Sequence, residues 1–353
     1  MNAGEIAVAA AALDDVFSDD IVVPAADGYP LAATLFLPRA KKRHAVLINS
    51  ATAVPRKVYR GFAGYLARRG AAVLTYDYRG TGDSRPMAAT GLNKPKSLAG
   101  FKATMADWAA LDATAAVRWM RERYRDLPFA YVGHSFGGQA LGLLPNNAEI
   151  PRALLIASQA AHWKLVASPE RYRVVAFMNG IGLPLARTLG YVPAWAGLGM
   201  DLPRGVFEQW RSWVMRERYL LDDPALAARE NFPKFKGKLR ALTITDDTWA
   251  TRPAVELLCS AFTSITPEII AISPADAGVP KIGHFGFFRS EHRDALWRGA
   301  AEWLEAEGEA PHAPLSFQRC DRFEYARNCR PGAGRDPYAA ADIVEGTRRS
   351  DIV

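Results

Sequence analysis

The sequence predicts an α/β fold: a mostly parallel central sheet with helices on both faces and an inserted helical cap. Three observations predict it. Short apolar runs alternate with amphipathic segments of helical period through most of the chain. One apolar run ends in the small-residue cluster Gly133-His134-Ser135-Phe136-Gly137-Gly138 and is followed by a helical pattern. Residues 159–237 interrupt the alternation with aromatic-rich sequence in which no strand is evident.

In chain order, residues 21–24 and 31–37 flank Asp27-Gly28 and read as two antiparallel strands with a tight turn, since Asp and Gly tolerate positive φ. The apolar run 45–48 is the next strand. An amphipathic helix over 58–69 follows, closed by Gly70 as its C-terminal cap, and 72–76 is another buried strand. Trp108, Leu111, Ala115 and Trp119 mark a helix over 103–124, which Pro128 separates from a strand at 129–132. Beyond Ser135 the pattern gives a helix and then a strand at 153–156. After the interruption it resumes with a strand at 239–245, a helix at 253–261, a strand at 268–272 and a helix at 291–304. Strands alternating with helices imply right-handed crossovers and a parallel sheet, with the opening hairpin as an antiparallel edge.

These patterns divide the chain into an N-terminal segment at 1–18, a core at 19–158 and 238–308, the cap at 159–237, and a Pro- and Gly-punctuated tail at 309–353 with no packed structure of its own. With 49% hydrophobic and 23% charged residues over 353 positions, the chain can bury a large core. The net charge of +7 is scattered. Clusters as short as Lys41-Lys42-Arg43 and Arg348-Arg349 read as solvated surface and not as a nucleic-acid stripe. Cys259, Cys320 and Cys329 lack metal-ligand spacing and leave an odd thiol, which fits a reducing compartment. The apolar run 6–13 has Glu5 in front and Asp14 and Asp15 behind, unlike a signal peptide, and no run is long enough to span a bilayer. A cytoplasmic location, with no stable membrane insertion, is the expectation. Nothing in the sequence sets an oligomeric state.

The chemistry centres on Ser135. In G-x-S-x-G between strand and helix, the backbone turns sharply and presents the serine hydroxyl, while small flanking residues let strand and helix approach. The Phe136 N–H, at a helix N-terminus, is positioned to stabilise an oxyanion. Serine needs a base, and the base needs an acid to orient it, in the chain order serine, acid, histidine. His44 and His312 lie away from any such loop, His134 would point elsewhere from within the elbow, and His162 precedes any later acid. His292 reads as a surface residue of the last helix. His284, in Gly283-His284-Phe285-Gly286 between the last strand and the last helix, is the expected base. Asp246 and Asp247 both follow the strand at 239–245, where catalytic groups of an open α/β sheet collect. The register to the next helix favours Asp247, with Asp246 as the alternative acid and loop bonding or capping as the other one's role. The loop Asn49-Ser50-Ala51-Thr52-Ala53 would supply the second oxyanion donor, from Ala51 or Thr52.

At this point the chain resembles the α/β-hydrolase superfamily over residues 20–308. The likeness rests on Tyr76-Asp77-Tyr78-Arg79-Gly80-Thr81-Gly82-Asp83-Ser84, on the serine elbow, and on the ordered acid and histidine loops. The first is similar to a D-x-R-G-x-G-x-S loop that shapes the active-site rim. More narrowly, the elbow through Gln139-Ala140 and Ile282-Gly283-His284-Phe285-Gly286-Phe287-Phe288 look like a group of bacterial predicted hydrolases without an assigned substrate. That group is similar to the serine aminopeptidase and monoacylglycerol-lipase-like hydrolases. The resemblance implies acyl transfer through Ser135, His284 and Asp247, with no metal or organic cofactor. The aromatic cap points to a small-molecule acyl substrate, a carboxylic ester with an apolar group. Peptidase, thioesterase and acyltransferase chemistry use the same triad, and a non-catalytic binding protein of this fold is the remaining alternative. Dehalogenase and epoxide hydrolase chemistry would need a carboxylate at position 135.

Overall fold

The computed structural model describes residues 16–86 and 97–306; the tail at 309–353, with Cys320, Cys329 and His312, lies outside the described residues. An eight-stranded sheet runs in the order β1-β2-β4-β3-β5-β6-β9-β10. Its strands are β1 (Val16–Pro24), β2 (Pro30–Pro38), β3 (His44–Asn49), β4 (Ala71–Tyr76), β5 (Phe129–His134), β6 (Arg152–Ile156), β9 (Lys238–Ile244) and β10 (Glu268–Ile272). The pairs β1–β2 and β2–β4 are antiparallel, and every other neighbouring pair is parallel.

The central strands explain why the sequence folds this way. Every residue of β3, β4, β5 and β6 is buried, the continuous apolar pattern of strands covered on both faces. Covering them are α1 (Arg60–Arg68), α3 (Phe136–Leu143), α6 (Arg252–Cys259), α7 (Arg298–Glu305) and a helix α2 that passes through Met105–Asp107, a wider π turn at Trp108–Ala113, and Thr114–Arg123. Thr104 and Asp107 form a reciprocal capping box at the start of α2, satisfying two amides that the helix leaves open.

The opening hairpin closes through the expected tight turn, in which Gly28, at φ +84°, donates its N–H to the Ala25 carbonyl at 2.9 Å. Two details differ from expectation. The first strand begins at Val16, inside the stretch 1–18 assigned ahead of the core. Residues 159–237 also contain a short antiparallel ladder, β7 (Tyr191–Val192) against β8 (Leu202–Pro203), too brief to leave a periodic signal.

The rest of that interval is helical. It contains α4, which runs through Glu170–Ala176, Phe177–Gly182 and Leu183–Leu189, and α5 (Arg204–Val214). Its last residues pack on the core beside α3, where Asn231 Nδ2 donates to the Leu143 carbonyl and Asn147 Nδ2 to the Asn231 carbonyl, and other parts of it meet loops at the carboxyl ends of the strands. Trp210 stacks on Trp249, Ala167 N–H donates to the Thr248 carbonyl, and Arg85 pairs with Asp201. Phe207, Trp213 and Tyr219 are fully buried there, whereas Tyr172 and Trp195 are exposed.

Candidate active site

The sheet brings the expected groups to one edge. Ser135 follows directly on β5 and caps α3 with φ +51° and ψ −114°, a conformation that costs a non-glycine residue about 1–3 kcal/mol. Surrounding packing holds it there. Ser135 N–H continues the ladder to the Ile156 carbonyl, at 3.0 Å. α3 then approaches so closely that a Cβ on Gly137 would lie 2.2 Å from the backbone oxygen of Asn49, and one on Gly138 would lie 2.1 Å from Ser158 Oγ. The glycines of the elbow are therefore a requirement of the turn. Gly137→Ala is expected to cost about 3 kcal/mol of stability, the upper range for overpacking, because the obstacle is backbone. Urea denaturation would measure it, and a loss under about 1 kcal/mol would show that α3 can retreat.

Asp247 and His284 meet: His284 Nδ1 lies 2.7 Å from Asp247 Oδ2. A carboxylate only accepts, so Nδ1 carries the hydrogen and Nε2 is left with its lone pair. Asp247 also accepts the N–H groups of Trp249 and Ala250, at 2.8 and 3.0 Å. Burial alone would raise the pKa of Asp247, but the facing His284 and these hydrogen bonds outweigh it and hold the carboxyl below its ordinary value.

Asp246 faces the other way. Its two oxygens accept the N–H groups of Ile282 and Gly283, each at 2.9 Å, so it grips the histidine loop and not the ring. The same loop is held further along. His292 Nδ1 donates to the Gly286 carbonyl at 2.8 Å, and Trp297 Nε1 donates to the Phe287 carbonyl at 2.6 Å. His292 is thus buried, contrary to its expected surface position, because the turn ahead of α7 folds its ring back under the loop.

His134 and Tyr59 belong to this region too, which the sequence did not reveal. The His134 ring is fully buried, with Nε2 at 2.9 Å from the His284 carbonyl and Nδ1 at 2.9 Å from Tyr59 Oη. Tyr59 Oη in turn accepts the Ala51 N–H at 2.8 Å. This corrects one expectation: the Ala51 N–H is already engaged by a side chain, which leaves Thr52 of the two expected donors. A visible signal was a histidine at the buried end of a strand, where both ring nitrogens need partners.

On the other side of the elbow, Phe136 packs edge-on against Tyr78 and Trp108, whose rings stack 4.8 Å apart. Arg79 anchors this rim, with Nε 2.7 Å from Asp112 and both terminal nitrogens on Asp27. A cavity of about 400 Å³ opens beside the acid, lined by Thr243, Ile244, Asp246, Asp247 and Thr248 among others. Neither Ser135 nor His284 lines it. Among the described residues no helix is long and apolar enough to cross a membrane, and no group of three His, Cys, Asp or Glu is placed to hold a metal ion.

A family model described as the alpha/beta hydrolase family matches residues 45–298. The chain belongs to that family. No curated protein matches this α/β hydrolase in sequence. Among solved structures it is similar to a soluble variant of monoglyceride lipase from Saccharomyces cerevisiae, at 14% identity and a TM-score of 0.54, over 83% of this chain and 95% of that one. It is also similar to an esterase from Exiguobacterium antarcticum, at 13% identity and a TM-score of 0.51, over 82% of this chain and the whole of the other. At those identities the likeness speaks for the fold, and this α/β hydrolase must be read for chemistry from its own residues.

Proposed function

We propose that this α/β hydrolase is a serine hydrolase that cleaves a carboxylic ester bearing an apolar group, through a covalent acyl-enzyme. The observation that carries the proposal is the Asp247–His284 contact of 2.7 Å at the sheet edge where the strained Ser135 stands. His284, held with its hydrogen on Nδ1, takes the Ser135 proton at Nε2 as the hydroxyl attacks the ester carbonyl. The negative charge that develops on the carbonyl oxygen falls to the N–H groups of Phe136 and Thr52. Protonated His284 passes its proton to the leaving alcohol, then accepts one from the water that attacks the acyl carbon, and returns it to Ser135 Oγ as the acyl–oxygen bond breaks and the acid leaves. Asp247 stabilises the imidazolium in both steps.

The helical interval 159–237 would act as a cap. The Trp210–Trp249 pair, with Trp249 bonded to Asp247 through its backbone, and Phe285, edge-on to the His284 ring, supply apolar surface near the dyad. Two proteins of similar fold are named an esterase and a monoglyceride lipase, and the ester bond is carried to this chain on that footing. The deciding experiment is labelling of the folded protein with a fluorophosphonate, followed by peptide mapping. Adduct on Ser135 is the expected result. Absence of adduct at Ser135 in folded protein would refute the proposal.

A further inference from the structure

Tyr59 and His134 do more than fill space beneath the elbow. The partners and the burial assign the hydrogens along their chain. The His284 carbonyl can only accept, so His134 Nε2 carries the hydrogen of that 2.9 Å bond. Burial, with the facing His284 adding to it, pushes the His134 pKa down to about 3, so the ring is neutral and Nδ1 is an acceptor. Tyr59 Oη, receiving the Ala51 N–H, therefore points its own hydrogen at Nδ1. The result is one directed chain: Ala51 N–H to Tyr59 Oη, Tyr59 O–H to His134 Nδ1, His134 Nε2–H to the His284 carbonyl. Tyr59 and His134 are both fully buried, and both ring nitrogens of His134 have partners. Phe285 and Phe288 wall the pair in, with Phe288 4.7 Å from the Tyr59 ring and 4.9 Å from the His134 ring between centroids.

We infer that Tyr59 and His134 are positioning residues that lock the base loop and the oxyanion loop to the nucleophile. The inference rests on the triad reading and deepens it. His134 is the residue immediately before Ser135, so its bond to His284 fixes the base relative to the nucleophile through a single peptide unit. At its other end the chain orients the Ala51 peptide and thereby the Thr52 N–H beside it. A shift in any of these elements would be transmitted to the other two. Neither side chain touches the reacting atoms, and both act through the groups they hold.

Two substitutions separate the halves of this device. In His134→Gln the side-chain amide reaches the place of Nε2 and keeps a donor for the His284 carbonyl. In His134→Asn the amide reaches only the place of Nδ1, so Tyr59 keeps a partner and the base loop does not. With a p-nitrophenyl ester, His134→Asn is expected to lower kcat about 10- to 100-fold with KM nearly unchanged, the scale of a small misplacement of catalytic groups. His134→Gln is expected to recover much of that loss. Tyr59→Phe, which removes one oxygen, should lower kcat about tenfold by freeing the Ala51 peptide and the His134 ring.

Melting curves and near-ultraviolet circular dichroism establish that each variant is folded. If His134→Asn does not fold, Tyr59→Phe decides. Wild-type kcat in the folded variants, or equal losses in the Gln and Asn forms, would overturn the positioning role. Fluorophosphonate labelling tells that failure from the other. Wild-type protein labelled on Ser135 with unaffected variants removes only the Tyr59–His134 role, whereas wild-type protein that never labels removes the triad reading as well.

Discussion

Ser135→Ala is expected to lower turnover of a p-nitrophenyl ester by about 10⁴-fold or more, and His284→Ala by a similar factor. The nucleophile and base act as a unit: the hydroxyl is a poor nucleophile unless its proton leaves as it attacks, and the imidazole has nothing to activate once the hydroxyl is gone. The double variant should therefore be no slower than the worse single variant, since the two losses are not additive. Rates residual to both changes would come from substrate binding and from the Phe136 and Thr52 N–H groups. Ser135→Ala removes a single oxygen and is expected to melt close to wild type, whereas His284→Ala leaves the buried Asp247 carboxylate without its partner and is expected to melt lower while remaining folded. Steady-state kcat on purified folded protein is the measurement. If either single variant kept activity within tenfold of wild type, the covalent mechanism through Ser135 would be wrong.

Much of the architecture is legible because the central strands are buried on both faces. Residues 268–272 were expected as a strand and form β10, and the runs at 45–48, 72–76 and 153–156 extend by only a residue or two at their ends. The helical interval is less legible. Its two-residue strands, Tyr191–Val192 and Leu202–Pro203, exist through mutual pairing, and no sequence period can form over two residues. The long helix α2 was read as one element from its apolar stripe. The widened turn at Trp108–Ala113 within it arises from packing, since Trp108 must stack on Tyr78 while its Nε1 reaches the Arg79 carbonyl at 3.0 Å.

The candidate site divides along the same line. Ser135 and His284 stand in local motifs, where glycine spacing itself encodes the turn, so both could be named from the chain. What positions them could not. His292 is expected on the surface of the last helix, yet its ring turns under the Gly286 carbonyl. Ala51 looked available because its neighbours are small, yet a hydroxyl eight residues later reaches its N–H. Such partners depend on where a side chain folds back, and linear spacing carries no information on that.

Asp247→Asn is expected to lower kcat by about 10⁴-fold, and Asp246→Asn by far less, about tenfold. The two aspartates are adjacent in sequence and hold different parts of one loop, which makes them a controlled comparison. Asparagine at 247 retains the size of the carboxylate but loses its charge, and its amide can present a hydrogen to Nδ1. His284 would then shift its own hydrogen to Nε2, the atom that must receive the Ser135 proton. The charge that stabilises the imidazolium would vanish with the same substitution. At 246 the change leaves the His284–Asp247 pair in place and weakens only the grip on Ile282 and Gly283, where one of two accepting oxygens becomes an amide. The loop would still be held by His134, His292 and Trp297. Parallel kcat measurements on a single ester settle the roles, with fluorophosphonate labelling rates as an independent check on Ser135 activation. A larger loss in Asp246→Asn than in Asp247→Asn would reassign the acid, and with it the hydrogen on His284.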